Sequence, residues 1–473
     1  MIMRRILFVL TSLTILLTAS SCEEFLNRDP EDKISNDGLF KDMEGVNYAL
    51  AGAYNGLTDD NYYRKNMILA CGLKGGNIKF SSNIVKMYQD RYRDTYNFNH
   101  SPGDQQLAYY AYRQIYEVLD MINNIIHNIP QAKGGTQAEK DHVRGEAKTL
   151  RALCHFDACR LFAQRYAHTN NAQHVGVVIV SQSPDVFDQP ERATVYETYK
   201  FIIQDLKEAI ELLERTPEKD KGAFWIDATA ARALLARVYL YKEDWNNAID
   251  MATRVIEDNN LSLVPHHQYV EKWTQEAFND EQIWMLDNSY ELAEALSKYI
   301  GVPGNADKTQ MSISRDLLNL YDDEDVREQL ITTFENDTVT RKYRSSQNIE
   351  SKIPMIRLAE MYLIRAEAAA RINEEIQARS DLDAIRKRAN PDAPFPNYSG
   401  QELIDQILLE KRKELAMEGH LFFDLKRLGH DIVRNDCNAT KNQSLEYPNP
   451  NLVMPIPKDE MDYNENMIQN EGY

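Results

Sequence analysis

Glu410, Glu414 and Glu418 recur every four residues, with Arg412, Asp424 and Arg427 close by. Paired carboxylates are the tools of glycoside hydrolysis, but there they face each other across a cleft, roughly 5 to 10 Å apart. One helix face would point all three the same way, and basic neighbours keep carboxylates ionised instead of raising a general acid's pKa. The spacing therefore reads as an ion-pair lattice between helices, not as catalysis. His155 and Cys159 share a predicted helix and suggest a Cys/His nucleophile, but buried packing is the expectation there. Cys154 and Cys159 lack a CxxC partner, and the rings of adjacent His266 and His267 diverge, so no metal centre is expected. Gly75 and Gly76 in LKGGNIKF do not make a phosphate loop, and none of the 73 acidic residues follows EF-hand spacing. No enzyme activity and no cofactor are expected.

Aromatic residues are the richer supply. The chain holds 26 Tyr, whose faces stack on sugars while their hydroxyls bond to sugar hydroxyls. Tyr109, Tyr112 and Tyr116 sit at three- and four-residue spacing in a predicted helix and are assigned to packing, as are Tyr239 and Trp284. Tyr62, Tyr63, Tyr88, Tyr92 and Tyr96 instead fall in a stretch without periodicity, together with Asn77, Asn83, Arg91 and Arg93, which can make paired hydrogen bonds to vicinal hydroxyls or peptide groups. Tyr290 and Tyr299, in a second such stretch, are expected to close the other side of a ligand site.

Most of the chain carries helical spacing, near 41–57, 104–128, 138–166, 194–215, 226–242, 245–258, 354–372, 376–389 and 400–428. Val175 to Val180 and Ile283 to Leu286 are the strand expectations. The irregular stretches are about 59–103 and 287–312, and loops of such length in a helical body are usually functional. Leu235, Ala236, Tyr239, Trp245, Ala248, Ala252 and Val255 follow a tetratricopeptide spacing, predicting a helical hairpin that turns at Glu243 and Asp244. A looser copy runs from Leu358 to Ile385. The fold class expected is mostly α, a tetratricopeptide-like hairpin scaffold with long irregular ligand-binding loops and a few short strands.

The first residues add a location. Arg4 and Arg5 precede an apolar run from Ile6 to Leu17, shorter than the ~20 residues of a membrane-spanning helix, so 1–21 read as a cleaved export signal. Ala19, Ser20 and Ser21 lead into Cys22, which resembles a bacterial lipoprotein signal with the thiol taking the lipid, and Glu23 and Glu24 look like a surface-export signal. Against 54 Lys and Arg stand 73 Asp and Glu, a net charge of −19, which argues against nucleic acid as a ligand and leaves acyl chains to hold the membrane.

Five ordered segments resemble one family: RGEAKTLRALCHFDACRLFA at 144–163, VGVVIV at 175–180, IRLAEMYLIRAEAAAR at 356–371, LLEKRKELAMEGHLFFDLKRLG at 408–429 and LVMPIPKDEMDYNENMIQNEGY at 452–473. Together with the start CEEFLNRDPED they are similar to the SusD/RagB family. That resemblance implies one SusD-like domain over 22–473, an N-terminal helical part to about 270 and a C-terminal part from about 271. It implies a lipid-anchored outer-membrane protein facing the exterior, binding glycan or in some branches peptide, and sitting on a SusC-type TonB-dependent transporter. Ligand contacts are then expected on the loop stretches above, that is at Tyr62, Tyr63, Asn77, Asn83, Tyr88, Arg91, Tyr92, Tyr96, Tyr290 and Tyr299. The alternatives are a peptide-binding RagB-like receptor and, from other classes, a glycoside hydrolase or a purely structural repeat scaffold.

Overall fold

The computed structural model describes residues 36–473 apart from 105, 186, 217–221, 259, 276–279, 288–295, 303–308, 347, 348 and 351. Cys22 and Tyr290 lie outside the described residues. In chain order the helices are α1 (Asn36–Leu39), α2 (Met43–Leu57), α3 (Asn66–Gly75), α4 (Lys86–Tyr96), α5 (Leu107–Asn128), α6 (Gln137–Phe162), α7 (Val195–Glu214), α8 (Ala228–Lys242), α9 (Trp245–Ile256), α10 (Tyr269–Thr274), α11 (Leu296–Ile300), α12 (Arg315–Leu318), α13 (Leu358–Arg371), α14 (Glu375–Ala389), α15 (Gly400–Glu414), α16 (Leu421–Leu428) and α17 (Lys458–Tyr463). The fold is mostly helical, as the spacing predicts.

Helices α5 to α9 and then α13 to α15 each pack on the next, an antiparallel stack in which every hairpin buries the apolar stripe of its neighbours. Sequence sets their ends. Thr136 and Thr194 each close a capping box, with Glu139 and Glu197 reaching back to the cap backbone. Helix α8 stops at Glu243, whose φ of 63° takes the chain into the tetratricopeptide-like turn, and Ala248, Ala252 and Val255 of α9 are fully buried against α8 and α13. Small residues allow the close approaches: a Cβ on Gly145 of α6 would lie 2.6 Å from Leu213 Cγ and 3.2 Å from the Ala209 carbonyl oxygen of α7.

Strands are short and pair two by two, all antiparallel. β1 (Ile78–Phe80) pairs with β3 (Met311–Ile313), and β2 (Gln282–Leu286) with β8 (Ile353–Arg357). The hairpins β4–β5 (Ile331–Phe334, Asp337–Thr340), β6–β7 (Ser345–Ser346, Ile349–Glu350) and β9–β10 (Ile432–Val433, Ser444–Leu445) complete them. β2 realises the expected strand with Trp284 buried in it. Val175 to Val180 does not form a strand: it makes a single bridge, Val175 to Thr194, and the Val180 amide donates to His155 Nε2 at 3.0 Å.

Two further expectations change. The stretch 59–103 is not irregular, since it holds α3, β1 and α4. Nine of the ten residues of α3 are buried, so it has no polar face to give a helical period. The segment 400–428 is two helices, because Met417 at φ 67° and Gly419 at φ 83° break it after Glu414. Residues 452–473 return to the first hairpin: the Met454 amide donates to the Leu161 carbonyl at 2.9 Å, the Lys458 amide to that of Pro102 at 2.8 Å, and Asn470 Nδ2 to that of Phe162 at 2.8 Å.

Candidate functional site

The carboxylates of the EKRKE segment converge, but on arginine. Glu414 is wholly buried and takes Arg388 Nη2 at 2.6 Å, Arg357 Nη1 at 3.1 Å and Arg327 Nη1 at 3.1 Å. Glu418, in the turn beyond α15, takes Lys342 at 2.6 Å and Arg357 Nε at 2.8 Å, while Glu410 meets Arg327 at 2.6 Å. Glu281, from the start of β2, adds contacts to Arg357 at 2.5 Å and Arg388 at 3.0 Å. Burial opposes the charge on Glu414, yet the three guanidiniums hold its carboxyl well below the usual range. An acid held ionised by three arginines neither donates nor collects a proton at neutral pH. The lattice ties six chain segments, those of Glu281, Arg327, Lys342, Arg357, Arg388 and Glu410 to Glu418, into one interior, and its members are buried.

The tyrosines of 59–103 also turn inward, which corrects the expected exposed platform. Tyr62 and Tyr63 both donate to Asp157 Oδ2 of α6, at 2.7 and 2.6 Å, and Arg160 pairs with the same carboxylate. Tyr96 donates to Asn438 at 3.0 Å, and Asn77 is buried with its side-chain oxygen accepting from Arg412 Nε at 3.0 Å. Tyr88, Tyr92 and Tyr299 do meet: the Tyr299 ring stands edge-on to Tyr88 at 5.5 Å and to Tyr92 at 5.9 Å. The two stretches singled out by sequence are thus neighbours, joined further by β1–β3, but through a core contact. Tyr92 donates to Asn66 at 2.7 Å, and Lys298 donates to the Tyr88 hydroxyl at 2.7 Å. Outside this trio the surface carries half-buried Asn83 and Arg91 beside the exposed side chains of Val85 and Met87. Arg93 is exposed and paired with Asp90 at 2.9 Å.

An open groove of about 560 Å³ lies between α5 and α17. Tyr109 and Tyr116, assigned to packing, are half-buried and line it, and Tyr463 stands 81% exposed on its other wall. Glu460 there is pushed up in pKa by burial and then by neighbouring Asp459, and Asp120 and Arg113 complete the polar rim.

Comparison with known proteins agrees with the scaffold. The family model described as "SusD family" matches residues 329–473, and a second, "Starch-binding associating with outer membrane", matches 24–240. The chain belongs to the SusD family. A SusD-like protein of Bacteroides ovatus is 24% identical, covering 92% of this chain and 84% of its own. The starch-binding protein SusD of Bacteroides thetaiotaomicron is 38% identical over 127 residues, 26% of this chain and 22% of that one. Among solved structures, a SusD superfamily protein of Bacteroides vulgatus superposes with a TM-score of 0.80 at 27% identity, covering 92% of this chain and 99% of the other.

Within this SusD-family chain the helical motif 144–163 has an interior role. Burial pushes the Cys159 thiol up to about 12 and lowers the His155 imidazole to about 4, so neither is reactive at neutral pH. His155 Nδ1 faces the Arg151 carbonyl at 2.9 Å while its Nε2 accepts from Val180, which fixes a neutral tautomer. Sequence reasoning passed over Asp157 and Lys298; a buried Asp between aromatic and basic helix positions is a signal only once the tyrosines that satisfy it are known. It also passed over Lys74 of α3, wholly buried between the rings of Phe98 at 5.0 Å and Phe422 at 4.7 Å, its amine without a hydrogen-bond partner among the described residues and lowered by burial to about 7.

Proposed function

We propose that this SusD-family chain is an outer-membrane protein, lipid-anchored through Cys22 and facing the exterior, that binds oligosaccharide and passes it to a SusC-type TonB-dependent transporter without making or breaking a bond. The observation that carries the reading is family membership over both ends of the chain, with a relative named as starch-binding. The Cys22 leader supports the anchor, and the ion-paired state of Glu410, Glu414 and Glu418 supports a binder over a hydrolase. Ligand is taken on the surface around Asn83, Val85, Met87 and Arg91, which Tyr88, Tyr92 and Tyr299 back from inside. A shallow face of this kind gives affinities of roughly micromolar to millimolar, which suits cargo that must be released.

The test is calorimetric titration of fragment 23–473 with maltoheptaose, laminarihexaose and a mixed peptide pool, with Asn83→Ala and Arg91→Ala in parallel. Glycan binding weakened by both variants is the expected result. A specific observation favours a second location: Tyr463 is the more exposed aromatic, so loss of binding in Tyr463→Ala alone moves the site to the α5–α17 groove. Peptide binding without glycan binding, or release of hydrolysis products, overturns the reading. Cys22→Ala is expected to shift the protein from the membrane to the soluble fraction.

A further inference from the structure

The segments that follow the ion-pair lattice leave a second cavity on the far side of α15. About 200 Å³ in volume, it opens between α15 and α16 and is walled by Leu408, Leu409, Leu421, Leu425 and Leu428, none of them fully buried. Side chains that apolar, gathered on one cavity, offer a small ligand an apolar wall. One cation is set among them. Arg412, in the last turn of α15, is half-buried, and its single hydrogen bond among the described residues runs from Nε to Asn77 Oδ1 at 3.0 Å. That bond uses one of five donors and leaves the outer edge of the fork, two NH₂ groups, uncommitted.

The other charges at this cavity are accounted for. Lys411 pairs with Asp424 at 2.9 Å, and Asp424 also holds Arg427 at 2.7 Å. His420 is lowered by burial to about 4 and is neutral at pH 7, and His430 stands exposed at the rim. Burial lowers the pKa of Arg412, with Asp316 acting in the opposite sense, so the guanidinium sits where an anion relieves it. On a chain of net charge −19 this is a cationic head in an apolar pocket, and the two features select together.

We propose that this cavity binds a small aliphatic carboxylate, the carboxylate paired with the outer edge of Arg412 and the alkyl chain laid against the five leucines. Carboxylate and guanidinium match as a bidentate fork, which a neutral or singly coordinating head cannot reproduce. A sugar is disfavoured here because most of its hydroxyls would lie against leucine side chains, with the polar groups gathered on the Arg412 side. At about 30 Å³ for each water-sized group, the volume suits about six heavy atoms, the six carbons of hexanoate, with its two oxygens at the Arg412 guanidinium. The site shares no residue with the surface around Asn83 and Arg91 and stands whether or not that surface binds glycan.

Calorimetric titration of the full chain with hexanoate and with 1-hexanol, at fixed ionic strength and pH 7, decides it. Hexanoate is expected to saturate one site and to bind about tenfold or more tighter than hexanol, the difference a charge-assisted fork supplies. Arg412→Gln is expected to cancel that preference while hexanol binding persists, and Arg412→Lys, which keeps the charge and loses the fork, to retain only part of it. Circular dichroism identifies a variant that fails to fold; the wild-type comparison of acid with alcohol then decides alone. Equal affinity for acid and alcohol, hexanoate binding unchanged in Arg412→Gln, or no heat from either probe up to about 10 mM overturns the proposal.

Discussion

Glu414 shows what a single buried carboxylate can hold. Removing its charge leaves Arg327, Arg357 and Arg388 each short of a partner in the interior, and breaking a buried pair from one side costs about 3–5 kcal/mol. Glu414→Gln is therefore expected to lose about that much stability in urea denaturation, far more than the fraction of a kcal/mol typical of a surface pair. A loss near zero would place the three arginines in an alternative network. The opposite sign is expected at Lys74, where burial has no partner charge to offset it. Lys74→Met keeps the length of the side chain and its contacts with Phe98 and Phe422 while removing the unsatisfied amine, and should gain about 1–3 kcal/mol at pH 7. The gain should shrink as pH rises from 7 through 10.5, where the wild-type amine is already neutral in the folded state and loses its proton in the unfolded one; a variant less stable than wild type at pH 7 would refute this. At this scale the sequence was half legible. The alternation of Glu with Lys and Arg at 410–418 announced ion pairs, but three of the cations come from elements far along the chain. Tyrosine is ambiguous in itself, because one side chain serves equally as a sugar platform and as a core residue with a satisfied hydroxyl; only the Asp157 and Asn66 acceptors settle which.

Among elements, the helices that kept a polar face were readable to within a few residues: α5 to α9 and α13 to α14 all follow their periodicity. Those that failed lacked the signal. Helix α3 is buried on nearly every side, α4 is polar with its tyrosines tucked in, and the end of α15 is fixed by positive φ at Met417 and Gly419, which an apolar count does not register. Helix contacts carry their own prediction. Gly145 is where α6 meets α7, and a side chain there must displace Leu213 and press on the Ala209 carbonyl. Gly145→Val is expected to lower stability by at least about 1–3 kcal/mol, the usual cost of overpacking, with thermal unfolding as the readout. An unchanged melting temperature would mean that α6 and α7 slide apart freely, which their long shared contact argues against.

For the molecule as a whole, buried histidines set an acid limit. His155 and His420 are both lowered from 6.5 to about 4 by burial. Each imidazole binds its proton less readily in the folded chain than in the unfolded one, so between about pH 6.5 and 4 the unfolded state takes up more protons and stability falls as pH falls, by on the order of 3 kcal/mol for each ring. Below about pH 4.5 the loss steepens, since Glu360, Glu367, Glu414 and Glu418 are all held ionised in the fold against their burial and must be protonated on unfolding. Urea midpoints at pH 7, 5.5 and 4.5 measure this, and a midpoint that rises with acidity would contradict it. The return of residues 452–473 to the first hairpin has a consequence in time. Carbonyls of Pro102 and Leu161 receive their donors from Lys458 and Met454, some 300 residues downstream of the hairpin's end, and Asn470 adds to Arg192 at the Phe162 carbonyl. A chain made from its N-terminus completes that hairpin early and its clasp last, so the hairpin stays unclasped until the final segment has been made.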